Sequence, residues 1–595
     1  VFDGDKEVPA QVLPMVVDEK GMLRWVLVDI QADLAAKEKK TFTLKAEKGK
    51  AQLAVVLKVT DDASGVTVDT GKVKFSIAKD KPFSLFSTVE AGGKGLLAGG
   101  EVSYTDSTTT NGASTRYTGD KPKSVEVEYA GVLRTTICVK GRFVGDDLSK
   151  LQYIARITAW AGRSDVHVKY SLSNSNEEHY TWRRIKDSSI EMKFAGEATG
   201  AIVGSGKPAD ADLPCWMQQS ARVVKGVIHK KDSLKMANWF HDTPGATNAG
   251  GAKAMSGDKD IWVSGGKEDI SQGWMAAKVA GAVVGVNDLY FVEDPPRKMA
   301  VNKGSLVLTG VTVPAEGVPS PFCDRQRWLF DSSHLSSQYL IDFAAPAAVA
   351  GLSAAAVAVR SRLHVMAPPA WYFETESLAV GRFGTLDDEL ACYDKWGWKY
   401  EKAEIPLDPV GQFKTCPRWT AGDDNHFTSE QDTLDGILLM YLRTGRHSYL
   451  DVAETWANYF MDLQNWRTDG WRYKDGGMWW RGSPLGNSPQ REKDPVTGLR
   501  NGIIAPWAKE FNEPLSREAV RDNWFQAEAK ACYCHNWGEG IAEWYLITGD
   551  RDALESAIDA VEQNYDTQKR AFGKAPGKPA GYSRDFTRAN YLSNA

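Results

Sequence analysis

The sequence predicts a multidomain β-then-α chain, with antiparallel β structure through residue 365 and an α/α toroid after it. Three observations carry this. Apolar residues alternate with period two along the amino-terminal region, as in GVTVDTGKVKFSIA from Gly65 to Ala78. From Trp371, just past Pro368-Pro369, the apolar period becomes that of a helix. Within this carboxy-terminal region a single helical hairpin is written twice.

Residues 1–123 read as a small antiparallel β domain, with MLRWVLVDIQADL, KTFTLKA and QLAVVLKV separated by Gly, Asp and Lys turns. Residues 124–365 continue in strands, SVEVEYAGVLRTTICVKGRF, QYIARITAWAGRSDVHVKYSLSN and SIEMKFAGEA. So many alternating strands are best solved as a β-sandwich. The stretch from Asp232 to Ser271, with Trp239, His241 and Trp262 among Gly, Asn and Asp, reads as surface loops rather than a binding site. RWLFDSSHLSSQYLIDF returns to a strand, and the alanine-rich stretch Ala344 to Arg362 reads as a buried helix between domains.

Residues 366–595 hold the repeat. Its first copy lies in the stretch from Thr415 to Leu463 and its echo starts at Ala531. In each, a His precedes a helix that closes on Tyr-Leu-x-Thr-Gly, Tyr441 to Gly445 and Tyr545 to Gly549. Leu434, Ile437, Leu438 and Tyr441, then Ile541, Trp544 and Tyr545, recur at three and four and form apolar stripes. Gly445 and Gly549 suit left-handed C-caps, and Arg446 and Asp550 open the return helices. Hairpins that cannot bury their faces alone imply an array, and a closed array is a toroid. Between the copies, Asn465 to Leu515 follows neither period; its five clustered aromatics Trp466, Trp471, Tyr473, Trp479 and Trp480 argue against disorder and for a substrate wall.

Composition excludes several classes. A net charge of -5 without a basic stripe argues against nucleic acid, and no run of about 18 apolar residues is present to span a membrane. The 21 tryptophans suit stacking on sugar faces. Seven cysteines give no regular disulfide framework, and Cys532-x-Cys534-His535 lacks the second ligand pair of a zinc site, so no cofactor is expected. A structural Ca²⁺ at the acidic Phe2–Glu7 loop stays open. The chain opens on Val1 and closes on what reads as an unfinished helix, Tyr582 to Ala595, so a removed leader or a fragment with an incomplete toroid is expected.

VDTGKVKFSI, YIARITAWAGRSDVHVKYSLSN and CHNWGEGIAEWYLITGD together resemble the exo-rhamnogalacturonan lyases and their bacterial relatives. The resemblance covers most of the chain and implies an N-terminal RIFT-type β-barrel, a central β-sandwich and a C-terminal α/α toroid. It also implies a secreted, periplasmic or cell-surface enzyme of bacterial type that acts on acidic polysaccharide or oligosaccharide.

Eliminating at a uronate needs a cation for the carboxylate, a base for the C5 proton and an acid for the leaving oxygen. Arg472 or Arg481 is expected to hold the carboxylate, His535 or Tyr473 to act as base and His426 as acid or orienting donor. Arg418, Asn425, Trp471, Trp479, Trp480 and Glu539 are expected to bind substrate. Glycoside hydrolysis is the alternative, with Asp423, Asp424, Glu430 and Glu539 as available carboxylates. A catalytically inactive carbohydrate-binding or surface-assembly protein, in which chains contact one another, is the third reading.

Overall fold

The computed structural model describes residues 1–106, 114–145, 151–220, 252–263, 271–313 and 334–360 with short gaps, and segments of the remainder, chiefly 432–466 and 538–572. The first 56 residues form a three-stranded antiparallel sheet, with strands Phe2–Asp3, Lys6–Glu7 and Phe42–Thr43, and a separate hairpin of Ala10–Val17 with Leu23–Ile30. In the Phe2–Glu7 loop, Asp3 faces Lys40 at 3.5 Å and the Glu7 carboxylate accepts the Lys50 amide at 2.6 Å. Among the described residues there is no group of three or more side chains able to hold a metal ion.

From Lys58 to Asp342 the chain builds a large β-sandwich whose described ladders are antiparallel. One sheet runs from Lys58–Asp61 through Lys94–Asp106 and Arg183–Phe194 to Lys259–Val263. The other runs from Thr115–Ala130 through Arg134–Phe143, Gln152–Trp160, Asp165–Ser173 and His334–Asp342 to Ala209–Ala211. Strand Thr115–Ala130 pairs at its start with Lys94–Asp106 and afterwards with Arg134–Phe143, so it crosses from one sheet to the other. The sequence boundary expected between residues 123 and 124 falls inside this strand, and strands from Lys58 onward already belong to the sandwich.

The alternation explains the core. Val66, Val68, Val73, Phe75 and Ile77 point inward on two paired strands, while Thr67, Lys74 and Ser76 point out. Their turn is fixed by Gly71, whose φ of 82° is the left-handed conformation that favours glycine, and by Asp69 accepting the Gly71 amide at 2.8 Å. Trp262, assigned to a loop by its glycine-rich context, instead lies on the strand Lys259–Val263 of a hairpin and packs over Gly206. Trp239 and His241 lie outside the described residues.

Among the described residues, six helices follow. Helix α1 (Val349–Arg360) packs Leu352 and Ala356 against Ile202, Trp274 and Val283, but Val357 is exposed, so this helix is half-buried rather than buried. Helix α2 (Pro369–Glu374) is one short segment opened by proline. Helices α3 (Thr433–Thr444) and α4 (His447–Tyr459) form the first hairpin, and α5 (Glu539–Thr548) and α6 (Arg551–Phe572) the second. Every stripe residue expected from the spacing is buried: Leu434, Ile437, Leu438, Tyr441, Ile541, Trp544 and Tyr545. Gly445 and Gly549 close α3 and α5 with φ of 65° and 72°, and each donates its amide to the tyrosine four residues back. Asp550 caps the return helix, accepting the Asp552 amide at 3.0 Å.

Helix α4 runs into a π-helical turn, Phe460–Gln464, and then a short strand Asn465–Trp466. This strand pairs with Gly477–Trp479, which pairs with Ala531–Cys532. The segment that followed neither period thus enters a small three-stranded sheet at its start and again at Gly477–Trp479, while its far end, Leu515, pairs with Tyr180 of the sandwich region; strands of two and three residues are too short to show a period.

Candidate functional site

Two polar assemblies stand out, one where the helices meet the sandwich and one where the two hairpins meet each other. The first grows from the sheet face opposite the apolar core. Arg156 and Lys169 are directly opposite one another on neighbouring strands, a like-charge pair that a bare sheet would not favour. The opposing charge comes from the start of α6. Glu555 takes a 2.6 Å ion pair from Arg156, Asp552 lies 3.4 Å from the same guanidinium and 2.7 Å from the Lys169 ammonium, and Asp550 lies 3.5 Å from Lys169. Glu128, on the sheet, completes the Arg156 shell at 3.1 Å.

Burial alone would disfavour both cations. For Arg156 the neighbouring Glu555, Asp552 and Glu128 outweigh it and hold the guanidinium well above its usual range; for Lys169, Asp550 and Asp552 outweigh it and raise the ammonium above its ordinary value. The π-turn adds Asp462, which accepts the Ser336 hydroxyl at 2.6 Å and the Ser336 amide at 3.3 Å. Tyr290 donates to Glu454 of α4 at 2.7 Å, and Tyr129 donates to the Gly549 carbonyl at 3.1 Å. Leu27 of the amino-terminal hairpin packs against Gly549, so the amino-terminal ladders, the sandwich and the helices converge there.

The second assembly lies at the N-termini of α3 and α5. Its components are repeat-equivalent: Asp435-Gly436-Ile437 opens α3 and Glu539-Gly540-Ile541 opens α5. Asp432, the N-cap of α3, has φ 47° and ψ 61°, a left-handed conformation uncommon for a residue with a side chain. That conformation lets one carboxylate cap two helices. One oxygen accepts the Asp435 amide at 3.4 Å, and the other accepts the Gly540 amide of α5 at 3.1 Å. The helices approach so closely that a Cβ on Gly540 would stand 2.4 Å from the Asp435 amide nitrogen.

Below this clamp Glu543, one turn after Glu539, is only 3% exposed, and its Oε2 is buried with no hydrogen-bond partner among the described residues. Burial first, then the neighbouring Asp435, Asp432 and Glu539 charges, push its carboxyl well above the usual glutamate range. Glu539 is partly exposed at the same place. The arrangement places a buried carboxyl one helical turn from a partly exposed one.

Of the residues expected from sequence, Glu539 is at this junction. Trp479 is described through its backbone in the strand Gly477–Trp479, beside Ala531. Arg418, Asp423, Asp424, Asn425, His426, Glu430, Trp471, Arg472, Tyr473, Trp480, Arg481 and His535 lie outside the described residues. Sequence reasoning missed Asp432, Asp435 and Glu543. The acid-Gly-Ile echo was the available signal for Asp435 and Glu539, whereas Glu543 aligns with Leu439 and has no repeat partner to mark it.

Residues 57–184 match the family described as the PcRGLX-like protein central beta sandwich domain. No curated protein matches the chain. Solved structures similar to it include a TPR-domain containing protein from Parabacteroides distasonis, 10% identical, covering 87% of this chain and 88% of its own at a TM-score of 0.27. A galactose mutarotase-like protein from Lactobacillus casei is 10% identical over 47% of this chain and 99% of its own, TM-score 0.28. An alpha-galactosidase from Geobacillus stearothermophilus is 10% identical over 52% of this chain and 44% of its own, TM-score 0.30. At such TM-scores these likenesses say nothing about activity.

Proposed function

We propose that the protein is a carbohydrate-processing enzyme, an exo-acting lyase that cleaves uronate-containing polysaccharide by β-elimination at the cell surface, in the periplasm or outside the cell. The observation that carries this reading is the match of residues 57–184 to the PcRGLX-like central beta sandwich domain. On this reading the amino-terminal ladders and the helical hairpins are the RIFT-type barrel and toroid portions of one architecture. Arg472 or Arg481 holds the uronate carboxylate, His535 or Tyr473 removes the C5 proton, and His426 serves the leaving oxygen. Arg418, Asn425 and Glu539 with Trp471, Trp479 and Trp480 bind the sugar chain.

The buried acids at the α3–α5 junction favour a second reading, glycoside hydrolysis, which relies on two carboxylates of different protonation. Incubation with a panel of acidic polysaccharides separates the two. Elimination raises ultraviolet absorbance through the new double bond of an unsaturated uronate. Hydrolysis gives new reducing ends without that absorbance, and would overturn the lyase reading.

A further inference from the structure

We infer that the sandwich carries a binding cleft for a neutral sugar residue between α1 and α4, with the Asn287 side-chain amide at its floor. The inference concerns binding and is independent of the choice between elimination and hydrolysis. His167, Leu340, Asn287 and Trp274 occupy one row across four neighbouring strands, because Leu340 is opposite both His167 and Asn287, and Asn287 is opposite Trp274. Opposite residues project from the same face of a sheet. A Cβ on Gly285, two residues before Asn287, would stand 3.5 Å from Leu352 of α1, so this is the face that the helices cover. They cover it unequally. Helix α1 seals Trp274, while α4 reaches the sheet through Tyr290, which donates to Glu454 at 2.7 Å and accepts from Asn458 at 3.1 Å. Gln338 links this phenol to the row: its Nε2 donates to Tyr290 at 3.4 Å, and its Oε1 lies 3.1 Å from His167 Nε2. Leu340, His167, Gln338, Tyr290, Glu454 and Asn458 all stay partly exposed, so the two helices leave this strip open.

Asn287 is the signal that the strip has an occupant. It is 8% exposed, and its buried Oδ1 has no hydrogen-bond partner among the described residues. A buried amide oxygen without a partner is costly, and Asn is a poor strand residue where an apolar side chain would serve, so its presence points to a ligand. A rotamer change of Leu340, the partly exposed residue opposite, lets a hydroxyl reach it. Amides, an imidazole and a phenol beside an apolar leucine suit the hydroxyls and the C–H face of a sugar. Charge selects an uncharged one. The carboxylates on this face are Glu454 and, two residues from Leu340, Asp342, and both would repel a uronate. The nearby cations are engaged: Lys169 by Asp550 and Asp552, Arg163 by Asp165, while Arg360 of α1 lies against Gly273.

The test is saturation-transfer nuclear magnetic resonance on the intact chain with the methyl glycosides of galactose, glucose and mannose at millimolar concentration, and with methyl galacturonoside as the charged control. Wild type should show transfer to at least one neutral glycoside. Asn287→Val removes the amide and places a branched side chain suited to a strand. It should weaken that binding by about tenfold, the loss of one hydrogen bond to the ligand. The same variant should unfold in urea at the wild-type midpoint or above it, because a buried polar atom without a partner has been removed. A purely structural amide would give the opposite, a lower midpoint. Any galacturonoside signal, which the proposed catalytic residues can give, should be equal in the two proteins, so failure of the lyase reading leaves this result untouched. No transfer to any neutral glycoside, a neutral signal undiminished in Asn287→Val, a galacturonoside signal lost with it, or a lowered midpoint would each overturn the proposal. Should Asn287→Val not fold, Asn287→Ala, which adds no bulk, decides by the same binding measurements.

Discussion

Replacing Arg156 by Met tests how the helices are fixed to the sandwich. The side chain is 8% exposed, and its guanidinium serves Glu555 at 2.6 Å, Glu128 at 3.1 Å and Asp552 at 3.4 Å. Removing it leaves three carboxylates with only Lys169 on Asp552 at 2.7 Å and the more exposed Lys140 on Glu555 at 3.1 Å as neighbouring cations, and removing one partner of a buried ion pair costs about 3–5 kcal/mol. One effect opposes this, because Arg156 and Lys169 are cross-strand neighbours of like charge. Relief of that repulsion returns about 0.2–1 kcal/mol, too little to change the sign. With a urea slope of about 3 kcal/mol/M, the unfolding midpoint should fall by about 0.7–1.6 M. Arg156→Lys should fall in between, since one ammonium keeps the charge but cannot span three acceptors. Unfolding followed by near- and far-ultraviolet circular dichroism checks both. An Arg156→Met midpoint within about 0.2 M of wild type would refute the idea that this cation neutralises the α6 acids.

Other substitutions probe the hairpin junction and the sandwich. Asp432→Ala removes the acceptor for two helix amides and should cost about 1–2 kcal/mol, whereas Asp432→Asn, which keeps an acceptor and tolerates the left-handed conformation, should cost less; thermal unfolding ranks the two. The repeat-equivalent glycines should respond in opposite directions. Gly540→Ala forces a Cβ against the Asp435 amide and should destabilise by about 1–3 kcal/mol, while Gly436→Ala meets nothing within 4 Å and should stabilise by about 0.5–1 kcal/mol, both read by chemical denaturation. Burial pushes the Cys138 thiol up to about 12 and the Cys215 thiol up to about 11. Both should therefore resist alkylation near neutral pH until the chain unfolds, as peptide mapping after labelling would show.

Much of the fold was legible because it rests on local patterns. The alternation of Val66, Val68, Phe75 and Ile77 fixes a half-buried hairpin, and the Tyr-Leu-x-Thr-Gly endings place both C-caps to the residue. What stayed hidden depends on partners distant in sequence. Nothing near Arg156 or Lys169 announces that α6, almost four hundred residues later, will supply their counter-charges. Both residues sit on a strand face that a simple alternation assigns to solvent, and the helical unit buries it. The same applies to Asp432 and Glu543, whose roles arise from two helices meeting, not from either one. Short strands such as Asn465–Trp466 fall below the length at which any period can be read. His426, His535, Tyr473, Arg472 and Arg481 were singled out by residue chemistry beside the repeat and the aromatic segment, and their placement lies outside the described residues.

The most direct test of the proposed lyase activity is the mass of the product released from an acidic polysaccharide when the reaction runs in water enriched in heavy oxygen. Elimination predicts an unsaturated product lighter than the hydrolytic one by one water and free of the label. A saturated product carrying the label at its new reducing end would contradict the lyase account and assign the chemistry to hydrolysis.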